Sequence, residues 1–320
     1  METTKKGFFS RTPVLVAFAL LCCALWGSAT PFIKTGYKLC EVTGVPSTML
    51  FAGIRFTLAG FLTIFIYSIA RKKVLIPKKE NSGRILIVAF FQTIMQYVFF
   101  YVGLANTSGV KGTVLSGSTA FFAVLISALI FRQEKLTPIK IIACVLGFAG
   151  IIVVNLKGLD FNMNFLGDAF VLFSSIASGF SSVFSKKFSK YEDPVIISGY
   201  QFFVGGIVMM IIGAAFGGTV SFKSFASVGV LIYLAALSAV AYSLWGMLLK
   251  YNPVSRVTIF SFTTPVFGVL LSAIMLKSED SNVEILNLII TLLLVAGGIF
   301  LINYKHPKKQ TSALSQETEK

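Results

Sequence analysis

Long apolar stretches recur along nearly the whole chain, and they constrain its fold more than any other feature. A helix of about 20 residues crosses the hydrocarbon core of a bilayer. Lipid offers the backbone no hydrogen-bond partners, so such stretches must satisfy their own amide groups as helices. We therefore predict an all-α polytopic membrane protein with ten transmembrane helices, at residues 14–34, 47–69, 85–104, 110–131, 137–155, 165–185, 195–215, 227–249, 256–276 and 283–303.

The distribution of charge predicts the orientation of these helices. Of the 320 residues, 55% are apolar and only 13% are charged, which excludes an ordinary soluble domain. If the N-terminus is cytoplasmic, 21 of the 28 Lys and Arg residues fall on the cytoplasmic side and 6 on the other, with Arg55 inside a span. This bias predicts that both termini are cytoplasmic. The net charge of +15 therefore reflects topology, and no nucleic-acid partner is expected.

The two halves of the chain match each other in sequence. The segment Ser118–Leu125 aligns without gaps with Thr263–Leu270, which lies 145 positions later. Spans one and six align at a nearby shift of 152 positions. Further pairs at these two shifts are Lys111 and Arg256, Ser127 and Ser272, Glu134 and Glu279, Gly27 and Gly179, and Lys34 and Lys186.

A repeat of five spans contains an odd number of crossings, so its second copy must be inverted in the bilayer. We expect one five-helix repeat at residues 14–155 and an inverted one at 156–303. A cytoplasmic N-terminal segment, 1–13, precedes them, and a cytoplasmic polar tail, 304–320, follows. Inverted repeats favour alternating access, in which the halves exchange conformations; the other interpretation is an old duplication kept only for stability.

Several short motifs resemble those of a known family. They are Leu25-Trp26-Gly27-Ser28 with Lys34, Arg55-Phe56, Phe131-Arg132-Gln133-Glu134-Lys135-Leu136-Thr137 and Thr264-Pro265-Val266-Phe267. Over about residues 14–305 the chain resembles the EamA-type family of the drug/metabolite transporter superfamily. The resemblance implies two inverted five-helix repeats around a central cavity lined by spans one, three, four, six, eight and nine. The chain departs from the family pattern at Ala120, often Pro, and at Lys277-Ser278-Glu279-Asp280, where Gly-Glu is commoner.

Arg55 is the charged side chain that lies deepest in a predicted span. It stands about nine residues into the second span, which at 1.5 Å per residue is roughly 13 Å deep. A cation inside the membrane needs a partner and is a functional candidate. Its guanidinium could hold a substrate carboxylate or phosphate, or it could pair with helix-end carbonyls and polar side chains. Gln201 stands at the matching place in the second half, so either role is asymmetric.

Polar and aromatic side chains inside the spans form helical stripes. Each stripe marks one helix face, which either packs on another helix or lines a solvated cavity. Glutamines that face lipid would be costly, which favours a cavity for the third span. The two tryptophans suit cavity walls or the interfacial belt. The candidate cavity residues are Trp26, Ser28, Arg55, Gln92, Gln96, Tyr97, Tyr101, Ser116, Ser178, Ser182, Tyr242, Trp245 and Thr264.

Helix breaks and helix ends supply further predictions. Pro265 and Gly268 lie inside the ninth span, where a lost backbone hydrogen bond gives either a static kink or a gating hinge. Glu134 and Glu279 lie at span ends and are predicted to be structural, bonding backbone donors or nearby cations. The alternative for Glu134 is a role in coupling or gating. No acidic residue or histidine stands in mid-span, which favours facilitated diffusion or exchange over a buried proton relay.

The sequence gives no sign of catalytic or metal chemistry. The four cysteines show neither metal-ligand spacing nor a disulfide framework, and the single histidine, His306, is in the tail. An intramembrane enzyme would need paired aspartates, a Ser–His pair or a His-rich metal site within the spans. We therefore expect no enzyme activity, no metal and no cofactor.

Transport of a small-molecule substrate is the leading functional prediction. The substrates expected are amino acids, amphipathic metabolites or drugs, moved across a bacterial cytoplasmic membrane by alternating access. The family resemblance implies that export is a common direction, and exchange is also open. The alternative, a nucleotide-sugar or phosphorylated-sugar antiporter of related fold, requires basic residues that converge on the cavity. The sequence is compatible with a monomer and with a homodimer.

Overall fold

The computed structural model describes residues 7–156, 164–276 and 285–304, and this part of the chain contains ten helices. Nine of the described helices are long and apolar enough to cross a membrane, and the fifth in chain order is shorter, with 17 residues. The helices are α1 (Thr12–Leu39), α2 (Gly44–Arg71), α3 (Lys79–Ala105), α4 (Gly109–Ile130), α5 (Pro138–Val154), α6 (Phe165–Phe188), α7 (Pro194–Ala215), α8 (Phe225–Tyr251), α9 (254–276) and α10 (Ile285–Tyr304).

The predicted all-helical membrane fold is confirmed, and the differences lie at helix ends. For example, α1 continues to Leu39, five residues past its predicted end, and α3 begins at Lys79, six residues before its predicted start. The apolar pattern stops early in α1 because Lys34 and Lys38 follow it. Long lysine side chains can keep their charge in water while the backbone beneath them stays helical. The apolar pattern therefore predicts the lipid-embedded length rather than the whole helix.

Large apolar side chains cover the outer surface of the bundle. Phe65 on α2 and Leu293 on α10 are 52% and 69% exposed, and many aliphatic neighbours on the outward faces are exposed as well. A soluble protein rarely presents such a continuous apolar surface. This surface suits the acyl chains of a bilayer.

The connections between helices alternate between two ends of the bundle. At one end, the N-terminal segment meets the α8–α9 turn, where Asn252 Nδ2 donates to the Phe9 carbonyl at 3.0 Å, and the amide of Lys78 donates to Glu192 at 3.1 Å. We call this the basic end, because its connections carry most of the Lys and Arg residues. At the opposite end, the Ser221 amide donates to the Cys40 carbonyl at 3.0 Å.

In the centre of the bundle, α2 and α7 approach so closely that only glycine fits at the contact. A methyl group at Gly60 would lie 2.4 Å from the backbone nitrogen of Phe203, and one at Gly206 would lie 2.4 Å from that of Thr57. Residue 206 stands 146 positions after residue 60, and residue 203 stands 146 positions after residue 57. The two halves therefore make the same contact with each other, which places a pseudo-twofold axis between α2 and α7.

A second pair of equivalent contacts joins the first span of each half to the fourth span of the other. A methyl group at Gly27 would lie 2.8 Å from the backbone nitrogen of Gly268, and one at Gly179 would lie 3.0 Å from that of Ala123. These residues are related by the shifts of 152 and 145 positions. The sequence repeat is thus also a repeat of three-dimensional contacts.

Glu134 ties α4 to the start of α9 at the basic end. Its carboxylate accepts hydrogen bonds from Ser127 Oγ at 3.0 Å, from the Ser255 amide at 3.0 Å, from the Ser255 hydroxyl and from Lys140 Nζ at 2.6 Å. Burial acts to raise the pKa of Glu134, but the hydrogen bonds from Lys140 and Ser255 outweigh it and lower that pKa. Glu279, the other predicted helix-end carboxylate, lies outside the described residues.

We expect Gly206→Ala to lower the melting temperature of the detergent-purified protein. Its new methyl group would collide with the Thr57 backbone, and such overpacking costs about 1–3 kcal/mol. Gly229→Ala on α8 is the matched control, because nothing lies within 4 Å of the added methyl group. It should leave the melting temperature unchanged or raise it slightly, since alanine favours helix. Equal effects of the two variants would contradict the close approach.

We expect Glu134→Gln to lower the melting temperature at neutral pH. The folded pKa of Glu134 lies below its ordinary value of 4.5, so its stabilisation is present above about pH 4.5 and is lost as the pH falls through the folded pKa. The difference in melting temperature between the two proteins should therefore shrink as the pH is lowered below about 4.5. Glu41→Gln is the control, because its ion pair with Lys223 is exposed and should contribute little. A difference that stays constant with pH would contradict the assignment.

Candidate functional site

Two tyrosines meet on the pseudo-twofold axis. The hydroxyls of Tyr97 on α3 and Tyr242 on α8 lie 2.9 Å apart, and either can donate the hydrogen bond. The two residues stand 145 positions apart, so they are equivalent members of the repeat. Equivalent residues can contact each other directly only near the axis that relates them. This pair therefore marks the centre of the molecule.

A cation lies on one side of this tyrosine pair. Arg55 on α2 donates from Nε and Nη2 to Ser238 Oγ, at 3.2 and 2.9 Å. On the other side, Thr93 Oγ1 donates to Gln201 Oε1 at 2.6 Å. Gln201 is the counterpart of Arg55, and Ser238 is the counterpart of Thr93. The same two-residue contact is thus made twice, once with a charge and once without.

Arg55 is buried, with 3% of its surface exposed, and Ser238 is a neutral partner. Within the described ranges, no carboxylate lies within 4 Å of its guanidinium. Phe56, next to Arg55 in the chain, and Tyr101 each pack against the ring of Tyr97, with ring centroids 4.5 and 5.8 Å away. A buried cation whose hydrogen bonds go to one hydroxyl has capacity left for an anion.

Aromatic rings enclose the tyrosine pair. The ring of Trp26 lies 5.0 Å from that of Tyr242 and 4.9 Å from that of Trp245, centroid to centroid. Phe56 and Phe202 stack at 5.1 Å, and Phe202 meets Tyr242 edge-on at 4.7 Å. Such rings supply a large apolar contact area and exclude water from the polar groups among them.

Some of the predicted cavity residues meet in this centre and others do not. Trp26, Arg55, Tyr97, Tyr101, Tyr242 and Trp245 come together there. Ser28 instead bonds Tyr233, at 2.8 Å, and Ser116 and Ser182 bond carbonyls of their own helices. Gln92 is buried within a π-helical turn, Phe90–Met95, and three other candidates, Gln96, Ser178 and Thr264, are half-buried on their helices.

The helix of the ninth span is irregular just before Pro265. Its helix changes to a 3₁₀ turn at Ile259–Phe262, directly before the segment Thr263–Leu276 that contains Pro265. Proline has no amide hydrogen to donate to the carbonyl four residues earlier, which favours a break at this place. Gly268, one turn later, packs against Gly27 of α1.

Several buried side-chain polar atoms of the described residues have no hydrogen-bond partner. They include Trp26 Nε1, Gln201 Nε2 and Thr264 Oγ1. An unpaired buried donor costs about 1–3 kcal/mol, so such atoms are expected where a ligand or water binds. Two of the three, Trp26 and Thr264, are candidate cavity residues from the sequence.

The other basic residues near span ends do not converge on this centre. Lys111 forms an ion pair with Asp168 at 2.8 Å at the opposite end of the bundle. Lys186 and Arg256 lie at the basic end, where Arg256 donates to Asn303 Oδ1 at 2.9 Å. None of these three cations therefore lies beside Arg55.

Two apolar grooves are found away from the centre. One, of about 370 Å³, lies between α3 and α6, and the other, of about 630 Å³, lies between α1, α9 and α10. None of the candidate cavity residues lines either groove. Their apolar linings suit lipid acyl chains.

A family model matches the chain twice, at residues 14–156 and 165–304, and its description is the EamA-like transporter family. The chain belongs to this family. The two matches correspond to the two halves that the structure relates by a pseudo-twofold axis. General membrane transport and the resemblance noted in the sequence are thereby supported.

Two bacterial relatives illustrate what the chain is similar to. The uncharacterized transporter YvbV of Bacillus subtilis is 25% identical over 95% of this chain and 95% of its own length. A probable amino-acid metabolite efflux pump of Escherichia coli is 26% identical over 85% of this chain and 90% of its own length. Similarity therefore extends through both halves of the EamA-like architecture.

A solved crystal structure shares the fold. It superimposes with a TM-score of 0.74 over 97% of this chain and 100% of the other chain, at 16% sequence identity. At this identity the likeness concerns the fold alone.

The sequence reasoning missed part of the centre of this EamA-like protein. Thr93, Phe56 and Phe202 were not among the candidates, and Ser238 was not recognised as the partner of Arg55. The signal was present, because the shift of 145 positions pairs Thr93 with Ser238 as it pairs Tyr97 with Tyr242. A helical stripe shows which face a residue occupies, but not which residue of another helix it meets.

We expect Tyr97→Phe and Tyr242→Phe to be coupled in a double-mutant cycle. Their hydroxyls bond each other, so removing the second should cost less than removing the first, with a coupling energy of about 1 kcal/mol. The measurement is the free energy of unfolding in mixed micelles. Tyr97→Phe combined with Tyr200→Phe is the control, because Tyr200 bonds the Leu75 carbonyl elsewhere, and this pair should be additive. Additive effects of the central pair would contradict the shared hydrogen bond.

Proposed function

We propose that this EamA-family protein exports or exchanges small organic solutes that carry a carboxylate, amino acids and their analogues foremost. In this proposal the solute binds at the centre of the bundle and is released by alternating access. The basic end faces the cytoplasm of a bacterial cell, as the excess of Lys and Arg there favours. Both termini then lie in the cytoplasm.

The observation that carries the proposal is the buried guanidinium of Arg55. Holding a cation in a low-dielectric interior costs several kcal/mol unless a counter-charge is present. Ser238 offers only a neutral oxygen to two of the nitrogens, and no carboxylate of the described protein approaches. A substrate carboxylate supplies the missing charge and accepts the remaining donors.

The surroundings of Arg55 fit the rest of an amino-acid-like solute. Trp26 and Trp245 offer aromatic faces to an apolar body. Trp26 Nε1 and Gln201 Nε2 are unpaired donors within the same region, available to further polar groups. The E. coli relative named as a probable amino-acid metabolite efflux pump supports the same substrate class and an outward direction.

The repeat supports alternating access. The halves contact each other through equivalent residues of α2 and α7, so each half can adopt the conformation of the other without losing this contact. Exchange of the two conformations would open the centre to the other side of the membrane. The phosphorylated-sugar alternative is not favoured, because Lys111, Lys186 and Arg256 are divided between the two ends.

We expect carboxylate-bearing solutes to stabilise the purified protein, and Arg55→Gln to abolish their advantage. The ligands are phenylalanine, phenylalaninamide and phenethylamine, then other amino acids in the same three forms. A ligand at 100 times its Kd contributes about 2.7 kcal/mol, which raises the melting temperature measurably. The acid should stabilise the wild type more than the amide or the amine does. Arg55→Gln copies the residue of the other half, and it should respond to all three forms equally.

Two controls make this result decisive. Lys38→Gln removes an exposed cation of α1 and should keep the preference for the acid. Arg55→Lys keeps the charge but loses the planar fork, so it should retain a weakened preference. Counterflow of radiolabelled solute into proteoliposomes then tests transport of whichever ligand binds. An Arg55→Gln protein that is folded and still prefers the acid would overturn the proposed role of Arg55.

A further inference from the structure

The first spans of the two halves carry equivalent lysines in different states. Lys186 on α6 donates from Nζ to the backbone carbonyls of Leu249, at 3.2 Å, and Asn252 at the end of α8. Its counterpart on α1, 152 positions earlier, is Lys34. Lys34 is exposed and has no hydrogen bond or ion pair within the part of the chain that the structure describes. One lysine is thus engaged and the other is free.

The carbonyls that bind Lys186 have counterparts as well. Leu104 and Thr107, 145 positions before Leu249 and Asn252, stand at the end of α3 as those residues stand at the end of α8. The last turn of a helix leaves carbonyls without intrahelical donors, and a lysine there is favourable. The end of α3 therefore offers Lys34 the kind of site that the end of α8 offers Lys186.

The packing of the helices shows the same asymmetry. At the basic end α6 packs on α8, and the segment Val254–Thr258 of α9 packs on Thr119–Leu125 of α4. The equivalent contacts at the opposite end would join α1 to α3 and Gly109–Gly117 of α4 to Thr263–Leu276 of α9. Among the described residues these pairs have no comparable packing. The basic end is therefore closed, and the opposite end is more open.

Two polar residues one turn before the lysines agree with this difference. Thr30 on α1 and Ser182 on α6 are equivalent at the shift of 152 positions. Thr30 is exposed, whereas Ser182 is buried, with 9% of its surface exposed. The exposure of these two residues thus agrees with an open end of the bundle near Lys34 and a closed end near Lys186.

We propose that Lys34 and Lys186 form closing contacts in alternation during transport. Each would hold the C-terminal end of its helix, α1 or α6, when its own end of the bundle is closed. This inference rests on the alternating access of the proposed function. When the halves exchange conformations, Lys186 leaves the carbonyls at the end of α8, and Lys34 docks on the carbonyls of Leu104 and Thr107 at the end of α3. Lys186 then stabilises the state that is open at the opposite end, and Lys34 stabilises the state that is open at the basic end.

Two matched cysteine reporters test the inference. Thr30→Cys reports the opening at the opposite end, and Ser182→Cys reports the opening at the basic end. Each is introduced separately, and its rate of reaction with a maleimide is measured in nanodiscs. The native cysteines are buried, and the protein without a reporter gives their background rate. The ratio of the Ser182→Cys rate to the Thr30→Cys rate follows the equilibrium between the two states.

The two lysines should shift this ratio in opposite directions. Lys186→Ala removes the closing contact at the basic end and should raise the ratio about two- to fivefold, the range expected for a lysine at a helix C-terminus. Lys34→Ala should lower it by a similar factor. Lys→Arg at either position should restore the wild-type ratio, because arginine also donates to carbonyls. A lysine with a merely structural role would not give opposite shifts.

The chain itself supplies equivalent controls. Lys38 and Lys190 follow Lys34 and Lys186 by one turn, are exposed, and are also 152 positions apart. Lys38→Ala and Lys190→Ala should leave the ratio unchanged. Shifts of the ratio in the same direction by Lys34→Ala and Lys186→Ala, or no shift in either variant, would overturn the proposed alternating contacts. The labelling needs no substrate, so the Arg55 assignment can fail while the reciprocal shifts persist, and the reverse outcome is equally distinguishable.

Discussion

The close approach of α2 and α7 determines how the rest of this protein is arranged. In lipid, helices gain nothing from hiding apolar surface from water, so they associate through packing of small residues. Gly60 and Gly206 let the two backbones touch, and the contact repeats itself across the axis. Because that axis passes between the halves, α3 and α8 are brought in on either side of it. The hydroxyls of Tyr97 and Tyr242 can then meet at the centre.

The surroundings of Arg55 make its buried charge unfavourable in the unbound protein and, for the same reason, strongly attractive to an anion. Apolar rings around Arg55 lower the local dielectric, which makes the unbound guanidinium unfavourable. A low dielectric also strengthens the attraction between that guanidinium and an arriving anion. Ser238 accepts hydrogen bonds from two guanidinium nitrogens of Arg55, which orients the guanidinium without neutralising its charge. In the proposed binding mode the guanidinium would therefore be oriented before a solute arrives, and little ordering would remain to be done on binding.

The sequence predicted the helices, the repeat and the position of Arg55 deep inside a span, because each depends on local composition or on a fixed shift. Helix ends were placed less well, since lysines such as Lys38 interrupt the apolar pattern before the helix ends. The pairing of Arg55 with Ser238 depends on which faces meet across helices, which one stripe does not determine. The different states of Lys34 and Lys186 could not be predicted at all. Matching residues suggest matching surroundings, whereas the two halves have adopted different conformations.

One charge at the centre has a consequence for how such a molecule could have arisen. Two separate copies of a five-helix half, related by an exact twofold axis, would carry the same residue on both sides of the Tyr97–Tyr242 pair. Arginine on both sides would set two like charges against each other, and glutamine on both sides would leave none. Joining the halves in one gene frees each position to mutate alone. A fused ancestor could thus gain a solute preference that a symmetric assembly of identical chains is denied.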